Sequence, residues 1–241
     1  MRKLIIDSYY YSSRKFNNRA SQIGFNIIYV SNIDFYKDKY VCASVLPKNI
    51  FDSVDLFDTS KITEHNNLLK YFSKEDLETI KACDDQYLKS AIIVRHVFDG
   101  ITDKSGSPYI NHLYAVSLSN DYISSVAGLL HDIIEDTDIT ALDLLEVGID
   151  RSIVETVFIV TKPKREKFAM TEKERLEAYN QEIDDIIESG NIHSLRLKVR
   201  DMRNNFNSER LKLLPSEKQE WFNKKYGNNL KKLEKVLESR N

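Results

Sequence analysis

The sequence predicts a mainly α-helical fold, a helical bundle preceded by a small α/β or strand-containing segment. Three observations carry this. Glycine occurs seven times and proline four times in 241 residues, too seldom for a β-rich fold dense with tight turns. From about Ser73 onward, long stretches repeat apolar residues at spacings of three and four and open on helix-start signals. Before that point, aromatic and β-branched residues come in short bursts that suit strands.

Taken in order, the first 60 residues hold tyrosines 9, 10, 11, 29, 36 and 40 and the short apolar runs FNIIYV and YVCASVL. We therefore divide the chain into an accessory segment, 1–70, and a helical domain, 71–241. Within the domain, Ser73 with Asp76, Thr140 with Asp143, Thr171 with Glu174 and Ser216 with Gln219 have the spacing of N-caps. Between them run LETIKACDDQYLKSAIIVRHVF, YISSVAGLLHDIIE, SIVETVFIV and EKERLEAYNQEIDDIIE, each with helical periodicity. Gly100 to Pro108 is a turn-rich loop, and Gly148, Pro163 and Gly190 mark further breaks. The final stretch is a helix burying Trp221, Tyr226, Leu230, Leu233 and Leu237, with Gly227 a weak point.

Composition narrows the function. With 41% hydrophobic and 30% charged residues, the chain is long enough to bury one sizeable core, or one core plus a small satellite, and is not intrinsically disordered. Lysine and arginine number 35 against 37 aspartates and glutamates, so no global positive field advertises a nucleic-acid or membrane partner. The opening MRKLII is too short for a signal-peptide core, and no run approaches the length of a membrane span. Cys42 and Cys83 make no metal or disulfide framework. A reducing cytoplasm fits best.

The chemistry concentrates in HDIIEDTD, residues 131–138, directly after the apolar run VAGLL. His131 and Glu135 are four apart, as are Asp132 and Asp136, so two neighbouring helical tracks each present a polar pair. Imidazole with carboxylate suits a divalent Mn, Fe or Zn ion better than Mg or Ca. His112, in PYINHLYAV, opens the preceding helix, and one helix hairpin returns it near His131. Asp201, in LKVRDMRNN, can close the set across the bundle. The bland alternative for 131–138 is a solvated, acid-rich loop leading into the helix capped by Thr140.

Four strings, in order and spacing, carry a resemblance: KSGSPYINH at 104–112, LLHDIIEDT at 129–137, VTK at 160–162 and KVRD at 198–201. Together they resemble the RelA/SpoT-type guanosine tetraphosphate hydrolase domain, within the HD metal-dependent phosphohydrolases. The resemblance covers residues 75–237. It implies one Mn ion on His112, His131, Asp132 and Asp201, other divalent transition metals being open. It also implies that Glu135 and Asp136 position or activate water and handle protons, and that Lys104, Asn205 and Ser208 contact the nucleotide. Thr161-Lys162 is then either pocket wall or a helix-end surface pair. The implied reaction converts guanosine tetra- or pentaphosphate to GDP or GTP and pyrophosphate; no Walker-type glycine loop accompanies it, and no synthetase-like segment is expected.

Departures keep two other functions open. Asp103 stands where the family commonly has arginine, and Arg200 and Met202-Arg203-Asn204-Asn205 flank the metal aspartate unlike the usual run. Arg95, Arg200 and Arg203 are either replacements for the missing charge or structural residues, whereas His96 and His193 match no functional position. The alternatives are an HD phosphohydrolase for another 3′-phosphorylated or pyrophosphorylated nucleotide, and a catalytically silent alarmone-binding protein. The N-terminal segment remains open as a pocket cover, a homo-oligomer contact or a regulatory-partner surface.

Overall fold

The structure, a computed structural model, describes residues 2–7, 14–30, 41–43, 50–103, 106–162, 170–212 and 215–240. It is mainly helical with one small sheet, as the glycine and proline scarcity and the periodicity require. The chain opens on β1 (Arg2–Asp7), crosses through α1 (Arg14–Ile23) to β2 (Phe25–Val30), and adds β3 (Val41–Ala43). The order is β2-β1-β3 with both pairings parallel: Arg2 faces Phe25, and Leu4 faces both Ile27 and Val41. FNIIYV thus forms a strand throughout, whereas of YVCASVL only Val41–Ala43 is one among the described residues. Of the early tyrosines, 9, 10, 11, 36 and 40 lie outside the described residues.

Helices follow in chain order: α2 (Lys74–Ala82), α3 (Gln86–Val97), α4 (Tyr109–Ser117), α5 (Tyr122–Leu130), α6 (Ile133–Asp136), α7 (Ala141–Glu146) and α8 (Arg151–Val160). Then come α9 (Glu172–Glu188), α10 (Ile192–Asn205), α11 (Ser208–Lys212) and α12 (Ser216–Arg240). Capping boxes form at Ser73/Asp76, Thr140/Asp143 and Thr171/Glu174. Ser216 differs: it lies inside α12, and the Pro215 carbonyl accepts from the Lys218 and Gln219 N–H groups. The run from Leu77 to Phe98 is two helices, because the Asp85 side chain caps the Tyr87 and Leu88 N–H groups and restarts the coil. Helix α12 passes Gly227 without a break. It buries Tyr226 and Leu233, while Trp221, Leu230 and Leu237 are half-buried. Gly100, Gly148 and Gly190 take φ of 70°, 75° and 72° just after α3, α7 and α9, the left-handed geometry that ends a helix. Pro163 lies outside the described residues.

The core centres on α5, where Val126, Ala127, Leu129 and Leu130 are fully buried, and α4, α8 and α10 pack against it. Leu4, Ile23 and Phe25 join the same buried apolar cluster as Leu142 and Ile149. Two polar ties lock the helices around α5. The Asp121 carboxylate caps α5 and pairs with His193 and Arg196 of α10 at 2.7 and 2.8 Å. Arg200 donates to the Val116 and Ser124 carbonyls, each at 2.8 Å, joining α10 to α4 and α5. No described helix is long and apolar enough to cross a membrane.

Candidate metal centre

Three helices bring the polar groups together. Tyr109 and His112 stand on the first turn of α4, His131 and Asp132 follow the last residue of α5, and Asp201 lies near the end of α10. Helix α5 ends here because Asp132 (φ −96°, ψ −7°) breaks regular geometry before the single turn of α6. The close approach of α4 and α5 depends on Gly128, where a Cβ would meet the Ser117 Cα and the Val116 carbonyl oxygen at 2.8 Å. One turn after that glycine, His131 reaches His112.

The two imidazole Nε2 atoms stand 3.2 Å apart. His131 Nδ1 lies 2.8 Å from the Gly128 carbonyl, and His112 Nδ1 lies 2.7 Å from Asn204 Oδ1. With each Nδ1–H as donor, the hydrogen-bonding partners select tautomers whose Nε2 lone pairs face each other. Asp132 Oδ2 sits 3.0 Å from His131 Nε2 and 3.6 Å from His112 Nε2. Asp201 Oδ1 lies 3.8 and 3.7 Å from the same two atoms. Ligand atoms of His112, His131 and Asp132 all lie within 4.8 Å of one another. Bonds of about 2.0–2.2 Å place the donors of one ion about 3–3.5 Å apart, so this donor set fits a metal. Opposed lone pairs and two carboxylates are a poor arrangement without a cation between them.

With no cation between them, the carboxylates draw a proton onto the cluster instead. Burial lowers the His131 pKa, but Asp132 and Asp201 outweigh it and hold the ring at about 9. Burial likewise opposes ionisation of Asp132, yet His131 and His112 keep it well below the usual carboxylate range. For Asp201, Lys198 is the chief counterweight to burial, at 2.8 Å, and the pKa falls to about 2. Asn205 Nδ2 donates to Asp201 Oδ1 at 2.5 Å. The Tyr109 hydroxyl donates to Asp132 at 2.5 Å and reaches Asp136 at 3.3 Å. Asp136 is raised by burial and by the neighbouring Asp132 and Glu135. Glu135 is held by Lys162, whose Nζ donates at 2.6 Å.

His112, His131, Asp132 and Asp201 thus converge, with Glu135, Asp136 and Asn205 beside them. Ser208 begins α11 and is exposed. Lys104 lies outside the described residues, as do its neighbour Ser105 and the residues after Lys162 up to 169. Thr161 is buried and Lys162 pairs with Glu135. Arg200 is structural, Arg203 pairs with Glu234 on the exterior at 2.8 Å, and Arg95 is exposed. His96 packs on Phe72 and His193 on Asp121, away from the cluster. Sequence reasoning missed the supports: Tyr109, Lys198 and Asn204. Tyr109 stood within a quoted string without a role, and nothing local in the sequence marks Lys198 or Asn204 as partners of Asp201 and His112.

No family model matches the chain. Among curated proteins, it is 31% identical over 145 residues to the bifunctional (p)ppGpp synthase/hydrolase SpoT of Escherichia coli K12, covering 58% of this chain and 19% of the relative. It is 33% identical over 104 residues to the guanosine-3′,5′-bis(diphosphate) 3′-pyrophosphohydrolase of Vibrio cholerae, covering 41% and 14%. A probable enzyme of the same name from Mycoplasma genitalium is 35% identical over 124 residues, covering 48% and 17%. The chain spans less than a fifth of the length of these relatives. The matched region is related to the SpoT/RelA type of hydrolase.

Proposed function

Proceeding from that relationship, we propose that the chain hydrolyses the 3′-pyrophosphate of guanosine tetra- or pentaphosphate, giving GDP or GTP and pyrophosphate. The observation that carries the proposal is the pair of facing Nε2 atoms, 3.2 Å apart and flanked by Asp132 and Asp201, with two further acids one helical turn away. His112, His131, Asp132 and Asp201 would hold one Mn ion. When bound, Mn would neutralise charge on the phosphates and lower the pKa of a water nucleophile.

The chain's own groups divide the remaining work. Asp136, raised by burial and its acidic neighbours, is suited to accept a proton from water and return it to the leaving oxygen. Tyr109, donating to Asp132 and reaching Asp136, fixes both carboxylates. Glu135, pinned by Lys162, orients the nucleophile. Lys162, Lys198 and Lys225 supply positive charge on the α8, α10 and α12 side. Lys225 stands 4.3 Å over the Tyr179 ring and 4.9 Å over the Tyr226 ring. Lys104, Asn205 and Ser208 are proposed to contact the nucleotide, Asn205 while supporting Asp201. The division into an accessory 1–70 and a hydrolase domain 71–241 and a cytoplasmic setting belong to the same reading.

Asp103 favours a second reading, in which the substrate is another 3′-phosphorylated or pyrophosphorylated nucleotide. Its carboxylate accepts the Ser107 N–H at 3.1 Å and so places negative charge in the loop where the resembled family has arginine. A panel decides between them: guanosine tetraphosphate, guanosine pentaphosphate and 3′-phosphorylated nucleotides of each base, incubated with Mn and resolved by ion exchange. Release of pyrophosphate from the guanosine alarmones alone is expected. Turnover confined to other nucleotides overturns the substrate, and binding without turnover overturns the enzyme.

A further inference from the structure

Helix α1, outside residues 75–237 that carry the sequence resemblance, grips the end of α8 at the candidate site. Arg19 Nη2 donates to the Phe158 carbonyl at 2.9 Å and Nη1 to the Thr161 carbonyl at 2.8 Å. Its guanidinium lies 3.7 Å over the Phe158 ring. Nη1 also reaches Gln22 Oε1 at 3.2 Å, and Gln22 Nε2 donates to the Lys162 carbonyl at 2.7 Å. A helix C-terminus leaves carbonyls unsatisfied and carries partial negative charge. A guanidinium and an amide supplied by α1 answer both needs. Burial lowers the Arg19 pKa to about 10, which keeps the group charged at neutral pH.

The residue at the end of this clamp is the one that holds Glu135. Lys162 Nζ donates to Glu135 Oε1 at 2.6 Å, and the Lys162 N–H approaches Oε2 at 3.4 Å. Arg19 holds the carbonyl of the Thr161–Lys162 peptide whose N–H approaches Glu135, and Gln22 holds the carbonyl of Lys162 itself, so both α1 side chains fix the residue that pairs with a carboxylate one turn from Asp132. Gln22 is 1% exposed, so its amide has no competing access to bulk water. We propose that Arg19 and Gln22 are positioning residues that act through Lys162 to fix Glu135, which makes the N-terminal segment a working part of the hydrolytic site. This rests on the reading of Glu135 as a participant in hydrolysis.

A double-mutant cycle tests it on the full chain with Mn and guanosine tetraphosphate. Gln22→Met keeps the buried volume and removes the donor; Lys162→Met removes the side-chain ion pair to Glu135, the shorter of the two links; Arg19→Lys keeps charge but spans only one carbonyl. Misplacement of a positioned group by about 1 Å costs between about 10- and 100-fold in rate. Gln22→Met is therefore expected to lower kcat about tenfold with KM and metal content unchanged. The double variant should be no slower than Lys162→Met alone, and Arg19→Lys should fall between Gln22→Met and wild type. An unchanged kcat in Gln22→Met, or losses that multiply in the double variant, would overturn the proposal. Hydrogen exchange supplies a readout without turnover: amides of 158–162 and 133–136 should exchange faster in Gln22→Met, and unchanged exchange in 133–136 refutes the link. Inactive wild-type protein would instead defeat the proposed function, leaving the exchange result to judge the clamp.

Discussion

His131 is buried and the adjacent Asp132 half-buried, both turned toward the same point, whereas Glu135 pairs with Lys162. His131→Ala or Asp132→Ala is expected to abolish Mn binding, whereas Glu135→Ala keeps the metal and loses about 10²-fold or more in rate. Metal analysis of the three purified variants checks this; unchanged Mn in the first two refutes the ligand assignment. Lys225 gives a prediction in pH. Burial, then Lys162 and Lys198, lowers its amine from 10.5 to about 8, against the opposing pull of Asp201 and Glu135. Between those values the unfolded chain binds more protons than the folded one, so stability rises with pH across that window. Lys225→Met should be more stable than wild type at pH 7 by about 1–3 kcal/mol, and urea melts should show the gap closing by pH 10.5. At this scale the convergence of His112, His131, Asp132 and Asp201 was legible because they sit in strings of distinctive order. Asn204 and Lys198 were not, because a helix of mixed polarity presents many such residues and only the packing of α10 on α4 selects them. Asn204→Ala should weaken Mn affinity by about 10–100-fold, measured by competition titration, since it orients His112.

Between elements, the site depends on how closely α4 and α5 approach. Gly128→Ala would push a Cβ to 2.8 Å from the Ser117 and Val116 backbone, where the neighbours are main chain and cannot rotate away. We expect a loss of about 1–3 kcal/mol in chemical denaturation, with weakened metal binding as the His112–His131 distance opens. Three capping boxes were readable because the cap and its answering acid are three residues apart in the sequence itself. The break at Cys83–Asp85 was hidden, since apolar spacing continues across it and only the Asp85 cap shows that the helix restarts. Ser216 had the right spacing for a cap, but the Pro215 carbonyl already starts the helix one residue earlier. The strands of the N-terminal segment were legible from β-branched and aromatic bursts; their parallel order was not, because pairing across a helix crossover leaves no local mark.

For the molecule as a whole, the near balance of charge conceals buried acids that need specific partners. Glu146 and Asp143 are fully buried. Arg2 on β1 donates to Glu146 and to Thr63 Oγ1, and stands 3.7 Å from Asp143. Asn66 and Asn67 supply further donors at 2.8 Å each. Arg2→Met should therefore cost about 3–5 kcal/mol, because it leaves buried carboxylates without their cation; a change under about 1 kcal/mol in urea denaturation would show the segment to be loosely attached. The sheet and the α1 contacts with the end of α8 then lie on the proposed path from the first strand to Glu135. The proposed hydrolysis is put to the test with guanosine tetraphosphate labelled in its 3′-β-phosphate, incubated with Mn-loaded wild-type and Asp132→Ala protein. It predicts labelled pyrophosphate from the wild type and none from the variant; labelled orthophosphate alone, or equal release from both proteins, would contradict it.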